Sequence, residues 1–93
     1  MIWECTSIAF PEQYDIFTDS GRPVAYFRLR HGNLYVHPRD AYDIDWDITI
    51  YEKHYDDERG CFESEEEREQ MIDYIDTKIK WYLVKQWFIN LFK

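Results

Sequence analysis

A chain of 93 residues is the size of one domain, and its 19% aromatic content (4 Trp, 8 Tyr, 6 Phe) excludes a disordered polymer by supplying dense core material. The formal charge of −8 is lopsided: all 19 acids lie at or before Asp76, so the first 77 residues carry −12 and Lys78, Lys80, Lys85 and Lys93 give the last 16 a charge of +4. A body this acidic repels phosphate, which argues against direct nucleic-acid binding by charge neutralisation and for a partner with a basic surface.

Residues 2–10 alternate, with Trp3, Cys5, Ser7 and Ala9 on one side, and predict a strand stopped by Pro11. A second strand, Tyr14 to Thr18, runs into Asp19, Ser20, Gly21 and Arg22, whose small polar residues and glycine suit a tight turn. The returning strand, Val24 to His31, places Tyr26, Arg28 and Arg30 on one face, and Gly32 with Asn33 turns it into Leu34 to His37, ended by Pro38. Ile44, Trp46, Ile48 and Ile50 alternate with Asp45, Asp47, Thr49 and Tyr51, the clearest period of two in the chain, and predict a fifth strand with one buried face and one wet face.

Asp56 to Phe62 reads as a polar loop, after which Ser64 and Glu67 form a capping box and Glu65 and Glu66 suit the positive end of a helix. No Gly or Pro follows until the end, so about 28 helical residues and a rod of about 42 Å are expected. Strands of five to eight residues span at most about 27 Å. The rod must therefore outrun the sheet. Met71, Ile72, Ile75 and Ile79 make one stripe, whereas from Trp81 onward nearly every face is apolar. The expected fold is α+β: a single domain with an antiparallel sheet of four to five strands over residues 1–55, an acidic loop over 56–63 and one long helix over 64–92.

Cys5 and Cys61 form no metal-type pair, and Met1 leads directly into Ile2, Trp3 and Glu4 rather than a basic then apolar leader. Free thiols and a cytoplasmic location are expected. No span of about 20 apolar residues is present, so no membrane crossing is expected. The Asp row beginning at Asp43 lacks the Gly and Glu that a calcium loop requires at its sixth and twelfth positions, where Ile48 and His54 stand. The histidines never fall at zinc-ligand spacing, no phosphate-cradling glycine run exists, and Cys61 sits in an acidic field that weakens a thiolate. No cofactor, metal or catalytic set is therefore expected. Arg28 and Arg30 would suit a carboxylate or phosphate, but pairing with acids on neighbouring strands is the favoured expectation.

Two surfaces remain as binding candidates. Asp40, Asp43, Asp45 and Asp47, joined by Asp56, Asp57 and Glu58, form a candidate acidic face for a basic partner, with the alternate aspartates about 6.6 Å apart along a strand. Trp81, Val84, Trp87, Phe88, Leu91 and Phe92 form a candidate self-association surface, favoured over burial on the chain's own sheet or contact with a membrane surface.

The segment Pro11, Glu12, Gln13, Tyr14, Asp15, followed by Arg28, Leu29, Arg30, His31 and Gly32, resembles a family of small phage and prophage proteins of Gram-positive bacteria that carry a P-E-Q-Y-D then R-L-R-x-G pattern. The resemblance covers roughly the first 40 residues. It implies a mobile-element origin and, by analogy with small acidic phage proteins, inhibition of a host-defence enzyme such as a CRISPR effector or nuclease through an acidic face laid on its nucleic-acid channel. The alternative is a structural or accessory homo-oligomer, most simply a homodimer, assembled through the aromatic helix.

Overall fold

The computed structural model describes residues 1–9 and 11–92. Five antiparallel strands, β1 (Ile2–Ser7), β2 (Glu12–Phe17), β3 (Pro23–Arg30), β4 (Asn33–Pro38) and β5 (Tyr51–His54), form a meander in the order β1-β2-β3-β4-β5, followed by α1 (Glu65–Leu91). This is the α+β architecture expected from the sequence. The end of the first predicted strand, Phe10, lies outside the described residues, and a bulge between Cys5 and Ser7 marks where pairing with β2 becomes irregular.

Alternation builds the core. Tyr14 and Ile16 on β2, Ala25, Phe27 and Leu29 on β3, and Leu34 and Val36 on β4 point to one face, where Ile75 and Ile79 of α1 and Phe62 cover them. Trp3, Tyr14, Phe27 and Phe62 interlock with ring centroids 5.3 to 5.8 Å apart. The Trp3 indole Nε1 donates to Asp76 on α1 at 2.7 Å.

The helix docks through a buried ion pair that sequence reading passed over. Glu12, fully buried, accepts from Arg68 Nε at 2.8 Å, from the Tyr14 hydroxyl at 2.6 Å and from the Phe62 amide at 3.1 Å. Burial pushes the carboxyl up, but the bonds from Arg68, Tyr14 and Phe62 outweigh it and hold the group below its usual range. Ser64 caps α1 as expected, its hydroxyl accepting from the Glu67 amide at 3.1 Å, while the Glu67 carboxylate reaches back to the Glu63 amide rather than to that of Ser64.

Two features differ from expectation. The β3–β4 turn is His31–Gly32, with φ of 52° and 76°, not Gly32–Asn33; positive φ at both positions is the signature of a type I′ turn. Gly32 is obligatory there, because a Cβ would run into the backbone carbonyl of Asp57. The strand predicted from Ile44 to Tyr51 is instead a loop, and β5 begins only at Tyr51.

Candidate functional site

The loop that replaces the predicted strand is made by its own aspartates. Asp40 accepts from the amides of Tyr42 and Asp43, both at 2.8 Å, and Asp45 accepts from the amide of Asp47 at 3.1 Å. Such Asx turns offer backbone amides a nearer partner than a neighbouring strand, and they bend the chain at each use. The Asp45 amide returns to the Pro38 carbonyl at 2.9 Å, and before β5 only a lone bridge between Arg39 and Ile44 and the Ile50 amide's bond to the Val36 carbonyl at 2.8 Å survive of the expected pairing. The expectation of Asp43, Asp45 and Asp47 as an even row on one strand face is thereby corrected. Their charge stays in solvent, since all three and Asp40 are exposed.

The acids do not form one continuous face. Asp40, Asp43, Asp45 and Asp47 gather around a cleft of about 710 Å³ that also touches Tyr82 and Leu83 of α1, at the Pro38 end of β4. Asp56, Asp57 and Glu58 lie at the opposite end, where the Arg59 carbonyl accepts from the Gly32 amide at 2.8 Å. Asp57 is paired: Arg59 clasps it with two bonds of 2.8 and 2.9 Å, which holds its carboxyl below the usual range, while also reaching Glu63 and Glu67. Asp56 and Glu58 remain exposed.

The other candidate surface stands as the length of the rod requires. At 27 residues α1 is about 40 Å long, close to the 43 Å long axis of the whole molecule, whose other extents are 25 and 24 Å. Its buried residues end at Ile79. Beyond that, Trp81, Val84, Trp87, Phe88, Leu91 and Phe92 are all exposed, Trp87 at 62% and Phe92 at 84%. The alternative of burial on the chain's own sheet is not what the fold does with them. Trp87 and Phe88 touch only edge to face, 5.4 Å between centroids. No helix among the described residues is long and apolar enough to cross a membrane.

The sheet face turned away from α1 was not singled out by sequence beyond its arginines. His37, the last residue of the strand predicted from Leu34, is buried there and donates from Nδ1 to the Ile48 carbonyl at 2.8 Å. Trp46 leaves the acidic loop to pack edge-on against Tyr26 and His37, 5.7 and 5.2 Å between centroids. Arg39 takes Asp15 at 2.6 Å. Arg28 and Arg30, for which internal pairing was expected, have no carboxylate partner among the described residues; Arg28 instead lies over the Trp46 ring at 5.8 Å. Among the described residues no group of three His, Cys, Asp or Glu side chains is placed to hold a metal ion. The thiols of Cys5 and Cys61 are free.

Four of the residues behind the phage-protein resemblance are structural in this fold: Glu12, Tyr14 and Leu29 are buried, and Gly32 makes the turn. No family model matches the chain, and no similar protein was found among curated proteins or solved structures.

Proposed function

We propose that this chain acts by binding rather than by catalysis, and that its working surface is the uncovered end of α1, closed by a second copy of itself. One observation carries the reading: the last three turns expose a contiguous set of large apolar side chains. Trp81, Val84, Phe88 and Leu91 follow one another at spacings of three, four and three, the seam of a coiled coil. Left in water, this end shows on the order of several hundred Å² of apolar surface, more than a soluble monomer usually carries. Burying half of these side chains, at about 1.5 to 3 kcal/mol each, offsets the several kcal/mol that association costs. A two-fold pair is the simplest closed arrangement. Light scattering at tens of micromolar should give a mass near twice the 11.6 kDa of one chain, reduced to one chain by Trp87→Glu with Phe88→Glu. A wild-type mass of one chain at every concentration would overturn the reading.

A second reading draws on the exposed acids of the Asp40–Asp47 loop, which stand beside Tyr82 at the root of that end. In it the acidic loop docks on the basic nucleic-acid channel of a host-defence enzyme, in the cytoplasm of a bacterial host, as the phage resemblance suggests. Asn at positions 43, 45 and 47 keeps the carbonyl acceptor that the turns need and removes the charge. Those changes should weaken capture by such an enzyme and flatten its salt dependence; unaltered capture and salt slope would sink the idea.

A further inference from the structure

The sheet face opposite α1 joins two things that a merely solvated face does not need: connected aromatic rings and arginines that no carboxylate pairs among the described residues. Tyr35 stacks on His37 at 5.9 Å and meets His54 edge-on at 6.0 Å, and His37 passes the contact to Trp46 and so to Tyr26. These rings lie on β3, β4, β5 and the loop between the last two, so they cover about 10 Å across three strands. Tyr35 is half-buried and Trp46 is 53% exposed, which leaves ring surface open to a ligand.

Beside them, the strand register sets Arg28 opposite Tyr35 and Arg30 opposite Asn33, with neutral Gln13 on the other side of Arg28. The I′ turn holds this corner, and Arg28, Arg30, His31, Asn33 and Tyr35 line a concavity of about 210 Å³. Arg39, Arg59 and Arg68 are each held by carboxylates, whereas Arg28 and Arg30 are held by none among the described residues. Two acids of the neighbouring strands share this face: Asp15, opposite Tyr26, is taken by Arg39, whereas Glu52, opposite Tyr35, has only the imidazole of His54 at 3.5 Å and stands as a charge that a bound phosphate must avoid. Most of the chain's negative charge lies on the loops and the first turns of α1; Trp46 itself borders the cleft of Asp40 to Asp47, whereas the concavity of Arg28 and Arg30 is lined by no acid.

We infer that this face binds a short stretch of single-stranded nucleic acid, whose bases stack on Tyr35 and Trp46 while Arg28 and Arg30 receive its phosphates. Stacking accepts any base, and a guanidinium fork matches a phosphate's oxygens. A single nucleotide would occupy only part of the ring surface; two or three bases fill it. Contact at the face works against the long-range field of a −8 chain, so affinity is modest. It also has a shallow salt dependence: two phosphates met on a single strand give a slope near −1.4 in log K against log salt. The site does not depend on self-association, although Trp46 at its edge shares a cleft with Tyr82 and Leu83 of α1.

The test is fluorescence anisotropy of a short labelled oligopyrimidine at low salt, with the duplex of the same sequence and the mononucleotide as competitors. The wild type should bind the single strand and be displaced at least about tenfold less effectively by either competitor. Arg28→Gln with Arg30→Gln, and separately Tyr35→Leu, should each weaken binding about tenfold or more. Chemical-shift mapping on the wild-type protein guards against a misfolded variant: shifts should concentrate on Tyr35, Trp46, Arg28 and Arg30. Absence of binding at low salt, equal competition by duplex or mononucleotide, binding that survives the arginine changes, or shifts confined to α1 would each overturn the inference.

Discussion

The two halves of α1 share a backbone conformation and differ in nearly everything else. From Glu65 to Ile79 the helix is amphipathic, pinned by Arg68 on buried Glu12 and by Asp76 on Trp3, and it buries Ile75 and Ile79 completely. From Trp81 to Phe92 it is richer in apolar residues, yet little of it is covered. The difference lies in what stands opposite. A sheet whose longest strand has 8 residues spans about 27 Å and cannot cover a helix of about 40 Å, so hydrophobicity alone does not decide burial. The first half belongs to the monomer's core; the second has a surface and no complement within the chain.

Breaking the first half should cost the most. Arg68→Met leaves the Glu12 carboxylate buried without its counter-charge and is expected to lower stability by about 3 to 5 kcal/mol, read from the urea midpoint. Ile75→Ala should cost about 2 to 5 kcal/mol through the cavity it leaves. If either variant stayed within about 0.5 kcal/mol of the wild type, as a surface change does, the docking of α1 on the sheet would be wrong.

The buried pair also gives this half a pH signature. Because Glu12 is held below its ordinary value of 4.5, its contribution is complete above that value and is lost as pH falls through the lower folded-state value. Acid unfolding monitored by circular dichroism should have a steep limb below that ordinary value, and Glu12→Gln should flatten it. An acid limb of unchanged steepness in the Gln variant would show that other carboxylates carry it.

In the second half the effect should fall on assembly and not on the fold. Val84→Ala is expected to change monomer stability at high dilution by less than about 0.5 kcal/mol, while making the midpoint of unfolding less dependent on protein concentration. A large loss at high dilution would mean that this end is core after all. The smallest effect belongs to the acidic loop: Asp40→Ala removes the acceptor of two amides, so hydrogen exchange at Tyr42 and Asp43 should quicken while the amides of β3 stay protected. Loss of protection across the sheet would mean that the loop is integral to it.

The same contrast explains what was legible in the sequence. Short-range chemistry was readable: the Ser64 cap, the Gly-containing turns to within one residue, four strands from alternation and their flanking turn and proline signals, and the overrun of the helix from lengths alone. Ile44 to Tyr51 misled because alternation records only side-chain polarity, while the aspartates between the apolar positions capture backbone amides and turn the strand into a loop. Glu12 could not be placed because its partner Arg68 lies 56 positions away and nothing local marks a carboxylate for burial. That Arg28 and Arg30 have no carboxylate partner among the described residues was illegible for a related reason. Composition favours pairing in an acidic chain, but register sets Gln13, Tyr35 and Asn33 beside them instead.

The closure of the aromatic end by a second copy is tested most directly by isotope-filtered NMR on a mixture of labelled and unlabelled chains. Intermolecular cross-peaks should connect the rings of Trp81, Trp87 and Phe88 of one copy to side chains between Trp81 and Phe92 of the other. Cross-peaks from those rings only to their own chain's sheet, or none between copies at millimolar concentration, would contradict it.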